Sequence, residues 1–147
     1  MIIVGVDLGH ARTGLSVCDR EELLASPLAV IAQRDPEKLA RSIADAARQA
    51  GAELLAVGLP RNMDGSEGES ARFAREMGAR LEELSGLPVR FVDERGTTLT
   101  AHGYLNETNT RGRKRKAVVD AVAATVILED FLRYRRNHPE GGDGPGD

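Results

Sequence analysis

The chain has 147 residues, a formal net charge of −3 at pH 7 and one cysteine. This length favours one domain with an ordinary hydrophobic core, and a lone cysteine excludes an internal disulfide. The N-terminal stretch lacks the basic region of a signal peptide, and no apolar run approaches the roughly 20 residues of a membrane-spanning helix. The composition therefore predicts a soluble, cytoplasmic protein with no membrane partner.

The charge is distributed unevenly along the chain. Residues 137–147 contain three acids and no Lys or Arg, and their glycine-rich composition without large apolar residues predicts a disordered tail. The remaining residues, 1–136, carry no net charge and are predicted to form the folded domain. Within them, Arg111–Lys116 (RGRKRK) is a basic run with no acid. Such a run is typical either of a solvated surface or of a surface that contacts phosphates.

The hydrophobic pattern predicts the element order βββ-α-β-α-β-α-α. The first three strands are joined by short connections, which favour antiparallel pairing, and the α-β-α-β order that follows favours crossovers. The fold class is therefore α/β, with a mixed five-stranded sheet and helices on both faces. The predicted strands are Ile2–Asp7, Thr13–Asp19, Leu23–Gln33, Glu53–Gly58 and Pro88–Val92.

The helices are predicted from their terminal signals. Asp35 caps the first helix, which begins at Pro36 and stops before Gly51. Ser66 and Glu69 fit a capping box for the second helix, which ends at Gly86. Thr97 or Thr98 begins a third helix through Leu105, and a fourth runs from about Lys114 to Arg136. The apolar stripe of the fourth helix is Val119, Val122, Ala123, Val126, Ile127 and Phe131.

Acidic residues occur where the predicted fold can bring them together. Asp7 ends a central strand beside Gly9 and Gly14, two glycines that would let backbone approach a phosphate closely. The pair Asp93-Glu94 ends the last strand, and Asp120 lies on the inner face of the fourth helix. Carboxylates converging from separate elements suit a hard divalent cation such as Mg²⁺ or Mn²⁺. This pattern indicates metal-dependent phosphoryl chemistry.

Each acidic position has a structural alternative. Asp7 could serve in a turn, Asp120 could interact with the positive end of the helix dipole, and Asp93-Glu94 could cap the following helix or pair with Arg95. Adjacent acids point in different directions, so one of Asp93 and Glu94 is expected to be a ligand.

The polar loop Leu59–Ser66 follows a central strand at the same sheet edge as Asp7. A turn that precedes a helix cap accounts for Asp64, Gly65 and Ser66. It does not account for Arg61 and Asn62, which are therefore predicted to contact substrate phosphates.

Four segments of the chain resemble the signatures of the YqgF/RuvX family, nucleases similar to Holliday-junction resolvases and proposed to mature the precursor of small-subunit ribosomal RNA. The segments are Val4–Gly14, Val57–Ser66, Asp93–Thr98 and Lys114–Leu128. The resemblance implies a ribonuclease-H-like fold. It also implies that Asp7, Glu94 and Asp120 are the catalytic and metal-binding acids, with Mg²⁺ or Mn²⁺ as cofactor.

The leading hypothesis is a nuclease that acts on RNA first, with single-stranded or branched DNA as further substrates. The predicted phosphate-contacting residues are Arg12, Arg61, Asn62, Arg95, Arg113, Lys114, Arg115 and Lys116. With no Trp, two Tyr and three Phe, the composition argues against reading bases on stacking platforms.

Two other classes of protein compete with this hypothesis. One is a non-catalytic module that binds RNA or a ribosome-assembly partner. The other is an ATP-binding protein of the actin and sugar-kinase type, whose phosphate loop resembles Asp7–Gly14. Those proteins bind nucleotide between two such domains, and this chain is long enough for one.

Overall fold

The structure is a computed structural model that describes residues 1–9, 11–93 and 112–138, with the backbone alone for residues 112–121. The elements occur in the predicted order. They are β1 (Ile3–Leu8), β2 (Thr13–Cys18), β3 (Ala25–Ile31), α1 (Pro36–Gln49), β4 (Leu54–Leu59), α2 (Glu69–Ser85), β5 (Val89–Asp93) and α3 (Gly112–Asn137). The predicted helix from Thr97 or Thr98 to Leu105 lies outside the described residues, as does the predicted tail beyond His138.

The five strands form one mixed sheet in the order β3-β2-β1-β4-β5. β1 pairs with β2, and β2 with β3, in antiparallel fashion, whereas β1–β4 and β4–β5 are parallel pairs. The prediction of a meander followed by crossovers is thus confirmed. Because β1, β3, β4 and β5 run in the same direction, their C-terminal ends meet at one edge of the sheet, here called the carboxyl edge.

Alternation along β1 divides the core between the two faces of the sheet. Val4 and Val6 pack with the buried residues of α1 and α2, whereas Ile3 packs with the buried residues of α3. Helices therefore cover both faces, as predicted: α1 and α2 lie on one side and α3 on the other.

The helix α3 approaches the sheet closely at Gly5. The side chain of Ser16, the residue paired with Gly5, is buried, and its Oγ donates a 2.7 Å hydrogen bond to the carbonyl oxygen of Ala124 in α3. A Cβ at position 5 would overlap the Ser16 hydroxyl and lie 3.0 Å from both the Ala124 carbonyl oxygen and Leu128 Cβ. Glycine is therefore required here by close packing.

The predicted stripe of α3 is only partly correct. Ala123, Ile127 and Phe131 are buried as expected, but Val122 and Val126 are half-buried. Ala124, Leu128 and Leu132 take the other buried positions, because the small Ala124 is the residue that fits against Gly5 and Ser16. The helix also extends one residue beyond the predicted end, to Asn137. No helix in the described part of the chain has the length and apolarity needed to cross a membrane.

The predicted start of α2 is wrong. Its N-cap is Gly68, without a side-chain cap, and the helix begins at Glu69 instead of following Ser66. The Ser66 hydroxyl is already engaged, because it donates to Asp64 Oδ1 at 2.6 Å and accepts from Asn62 Nδ2 at 2.9 Å. Likewise, β3 begins at Ala25, after Leu23 and Leu24, which are exposed and lie outside the ladder.

A carboxylate joins the two helices on the first face. Glu37 of α1 accepts hydrogen bonds from Arg80 of α2 through both carboxylate oxygens, at 2.8 and 2.6 Å, and a third from Arg41 at 3.0 Å. The hydrogen bonds from Arg80, reinforced by Arg41, lower the pKa of Glu37 from 4.5 to about 2.

Replacing Gly5 tests the close approach of α3. We expect Gly5→Ala to lower the free energy of unfolding by about 1–3 kcal/mol, since the added methyl group has no room in a packed core. Gly68→Ala is the matched control, because a Cβ at Gly68 meets no atom within 4 Å. Denaturant unfolding compares the two variants. Equal stability of both would contradict the packing argument.

The bridge between α1 and α2 should depend on pH in a defined direction. Because the folded pKa of Glu37 is depressed, its contribution is fully present above pH 4.5 and is lost as the pH falls through about 2. Glu37→Gln should therefore lower the Tm at pH 7 by about 1–4 °C, and this difference should shrink below pH 4.5. Melting curves from pH 7 to pH 2.5, with the exposed Glu76→Gln as control, measure it. A difference independent of pH would disprove the assignment.

Candidate functional site

Asp7 lies at the carboxyl edge on the face covered by α3. It is half-buried in β1, opposite Gly14 of β2. Its neighbours Val6 and Leu8 pack on the α1–α2 side, so strand alternation gives Asp7 the same face as Gly5. Asp7 is therefore two residues beyond the point of closest approach between β1 and α3.

The direction of α3 follows from contacts at its C-terminal end. Arg135 donates a 2.7 Å hydrogen bond to Glu22, and Glu22 also binds the N-terminal amine of Met1 at 3.0 Å. The C-terminal end of α3 is thus near the start of β1, and the helix runs antiparallel to that strand.

This register determines where Asp120 lies in the backbone. It precedes Ala124 by one helical turn, about 6 Å along the axis, on the side of the carboxyl edge. Asp7 lies beyond Gly5 by two strand residues, about 6.6 Å, in the same direction. The backbone register therefore brings position 120 to the level of Asp7. The Asp120 side chain lies outside the described atoms.

Asp93 belongs to a different environment from Asp7. It is paired with Leu59, a buried residue that packs against α2, and its carboxylate is 3.8 Å from Arg61 Nη1. Asp93 is thus directed to the α2 side, away from the face of Asp7. Glu94 and Arg95 lie outside the described residues.

Arg61 lies between two carboxylates. Its Nε is 3.4 Å from Glu67, and its side chain is 23% exposed. Glu67 also accepts two 2.8 Å hydrogen bonds from Arg75, whose guanidinium lies 5.2 Å from the centre of the Phe91 ring. The hydrogen bonds from Arg75, with a smaller contribution from Arg61, lower the pKa of Glu67. Arg61 therefore ties the loop before α2 to the end of β5.

Asn62 shapes the same loop. Its backbone N–H donates to the carbonyl oxygen of Ser66 at 2.8 Å, and its own carbonyl oxygen accepts from Gly65 at 2.8 Å. Gly65 has a φ of 90°, in the left-handed region that favours glycine. The structural explanation offered for Asp64–Ser66 therefore extends to Asn62, which remains exposed at the carboxyl edge.

The connection between β1 and β2 contains Gly9 and Arg12. A Cβ at Gly9 would overlap the carbonyl oxygen of Arg12, so this glycine is needed for the chain to turn. Gly14 is inside β2 and pairs with Asp7. Both glycines thus have structural roles, in the turn and in strand pairing, and the access of a phosphate to the backbone here stays a prediction. Arg12 is half-buried beside them.

The basic residues Arg113, Lys114, Arg115 and Lys116 lie in a helix. The prediction placed a basic loop before a helix that begins near Lys114, but α3 already begins at Gly112. Its first turn contains no acid. Cations at the positive end of a helix dipole are unfavourable unless an anion binds there, and helix N-termini bind phosphates readily.

Of the three predicted acids, the described atoms contain the side chain of Asp7 alone. Within the described residues, no three His, Cys, Asp or Glu side chains lie together so that they could hold a metal ion. Ser16, Glu67 and Arg75 also contribute to this region, and none of them was predicted from the sequence. The small residues Gly14, Ser16 and Cys18, on alternate positions of β2, were the available signal for a closely packed helix.

The chain matches a known protein family over most of its length. The sequence profile of the RuvX family, described as Holliday junction resolvase, matches residues 1–134. A protein of Rhodopirellula baltica named "Putative pre-16S rRNA nuclease" is 42% identical over 136 residues, covering 90% of this chain and 79% of its own length. A protein of the same name from Mycobacteroides abscessus is 40% identical over 147 residues, covering 97% and 87%.

Two solved structures are similar in fold. Thermus thermophilus RuvC in complex with a Holliday junction superimposes with a TM-score of 0.60 at 16% identity, covering 93% of this chain and 96% of RuvC. The fowlpox virus Holliday junction resolvase gives 0.54 at 14% identity, covering 93% and 99%. At such identities the likeness shows the fold alone, which is ribonuclease-H-like, as the family resemblance implied.

Proposed function

The chain belongs to the RuvX family, and on that premise we propose that it is a divalent-metal-dependent nuclease that hydrolyses phosphodiester bonds of RNA. Its proposed substrate is the 5′ end of the small-subunit ribosomal RNA precursor, with single-stranded or branched DNA as further substrates. The name of the 42% identical relative supports the RNA substrate. The observation that supports the proposal is the register of α3, in which the backbone of position 120 lies at the same height as Asp7 at the carboxyl edge.

Asp7, Glu94 and Asp120 would hold Mg²⁺ or Mn²⁺. The fit rests on the chemistry of the donors, because carboxylate oxygens are what these hard cations prefer. Asp93 already has an ionic partner, because its carboxylate lies 3.8 Å from Arg61 Nη1. Of the two adjacent acids, Glu94 is therefore the proposed ligand, in agreement with the family resemblance.

Hydrolysis of a phosphodiester requires a bound backbone, a positioned water and compensation for the charge that develops on the phosphate. Asp7, Glu94 and Asp120 would hold the divalent cation, and the chemistry it would supply there is an acidified water and stabilisation of the leaving oxygen. The chain itself would position the reacting groups. Asp7 lies on β1, a central strand paired on both sides, and α3 packs over that strand in a fixed register. This rigidity limits the movement of the reacting groups.

The backbone phosphates would be held by the cations around this edge. Arg113, Lys114, Arg115 and Lys116 offer four positive charges and the helix N-terminus together, and Arg12 and Arg95 flank the proposed acids in sequence. Arg61 and Asn62 complete the proposed set. Because both already maintain the loop between β4 and α2, their contribution to substrate binding would include keeping that loop in shape.

Removing the Asp7 charge tests catalysis. Asp7→Asn should reduce cleavage of RNA in the presence of Mn²⁺ by about 100-fold or more, because asparagine keeps the size and removes the charge that holds the cation. Its thermal unfolding should remain cooperative. Asp45→Asn, in an exposed ion pair on α1, is the matched control and should cleave normally. Wild-type cleavage by purified Asp7→Asn protein would contradict the assignment.

Salt dependence tests the basic turn of α3. Replacing Arg113, Lys114, Arg115 and Lys116 with Gln should weaken binding of every RNA sequence alike. The slope of log K against log salt should flatten by up to about 0.7 per lost phosphate contact. The control replaces the same number of basic residues elsewhere on the surface: Lys38, Arg48, Arg133 and Arg136. The same slope in both variants and in the wild type would mean that the basic turn is a solvated surface.

A further inference from the structure

A cavity of about 350 Å³ opens at the carboxyl edge on the side opposite to Asp7. It lies where β1, β3 and β4 end and where α2 begins. Its floor is apolar and its rim polar. The floor is formed by Leu8, Leu39, Pro60, Phe73 and Ala74, and the rim by Gln33, Arg34, Glu69 and Ser70, with Gly9 between them.

The polar groups of the rim are not used by the fold. Arg34, Glu69 and Ser70 make no side-chain hydrogen bond or ion pair within the described part of the chain. The Oε1 of Gln33 accepts from the backbone N–H of Asp35 at 3.1 Å, which leaves its amide nitrogen as a donor. Gly68 provides no side-chain cap for α2, so the first backbone N–H groups of this helix are also available donors.

The chemistry of the lining favours a flat, neutral, hydrogen-bonding ligand. The Glu69 carboxylate at the rim disfavours a phosphate, although Arg34 alone would attract one. The apolar floor, with the aromatic ring of Phe73, suits the face of a heterocycle, and the mixed donors and acceptors suit its edge. At about 350 Å³, the cavity is at the small end of ligand sites and would hold one ring system.

We propose that this cavity binds one unstacked nucleobase of the substrate strand, and guanine in preference to the other bases. The inference rests on the nucleic-acid binding of the proposed function. Leu8 and Gly9 directly follow Asp7, so a strand whose phosphate lies at Asp7 has a neighbouring base within reach of the cavity. Guanine presents two adjacent N–H donors on its pairing edge, which one carboxylate, that of Glu69, can accept together. The other three standard bases do not.

Binding of short oligonucleotides without divalent metal tests the proposal separately from cleavage. The probes are fluorescent oligouridines of about twelve nucleotides, either pure or with one guanosine, adenosine or cytidine. The wild-type protein should bind the guanosine probe about tenfold more tightly than pure oligouridine. Free guanosine monophosphate should compete for this added affinity and leave the affinity for oligouridine unchanged.

Two variants connect the effect to the cavity. Phe73→Leu keeps the apolar volume and removes the aromatic face, and Glu69→Gln removes the acceptor pair. Both should lose the preference for guanosine and keep the affinity for oligouridine. Glu76→Gln, an equal change of charge at an exposed position of α2 outside the cavity, should keep the preference. Thermal unfolding verifies that each variant is folded.

Four results would overturn the proposal. Equal affinity of the wild type for all four probes would show that the cavity does not select guanine. A preference that survives in Phe73→Leu and Glu69→Gln would place base recognition elsewhere, with the nuclease assignment unaffected. Binding of a free nucleoside triphosphate that is lost in Phe73→Leu and Glu69→Gln and is not displaced by any oligonucleotide would assign the cavity to a free nucleotide instead of a base of the strand. If the protein bound none of the oligonucleotides, the nucleic-acid function itself would be refuted.

Discussion

The close approach of α3 to the centre of the sheet is the constraint on which the candidate site depends. Gly5 provides the space, and the buried hydroxyl of Ser16 fixes the height of the helix by donating to the carbonyl oxygen of Ala124 at 2.7 Å. The helix runs antiparallel to β1. Position 120, one turn before Ala124, therefore lies at the same level as Asp7, two residues after Gly5. This contact, together with the buried face of α3 and the Arg135–Glu22 bridge, holds the register between Asp7 and position 120.

Successive side chains of β1 point to opposite faces of the sheet, which separates two environments at the carboxyl edge. Asp7 faces α3, where the proposed metal ligands belong, while the next residue, Leu8, contributes to the cavity on the opposite side. The Arg61–Glu67–Arg75 cluster secures the second side by connecting the loop before α2 to Asp93 at the end of β5. Two adjacent residues of one strand thus face two environments, the proposed metal site and the proposed base-binding cavity.

Much of the fold could be predicted from the sequence because its signals are local. The Asp35-Pro36 helix start, the Gly86 stop and the apolar run of β4 each indicate structure within a few residues. The α2 start was mispredicted since Ser66 has a second local partner in Asp64, which competes for its hydroxyl. Contacts between distant segments, such as Ser16 with Ala124 and Arg61 with Asp93, have no local signal. The engagement of Arg61 by two carboxylates therefore could not be foreseen.

The central claim is that Asp7 and Asp120 share a cation. The stabilisation of the fold by a divalent metal tests this claim most directly. Thermal unfolding with increasing Mn²⁺ would be recorded for the wild type, Asp7→Asn, Asp120→Asn, the double variant and the Asp45→Asn control. Mn²⁺ should raise the Tm of the wild type and the control by ligand linkage. Each single variant should lose most of this rise, and the double variant should lose little more, because both residues act on one site. A full Mn²⁺ shift in Asp120→Asn would contradict the account.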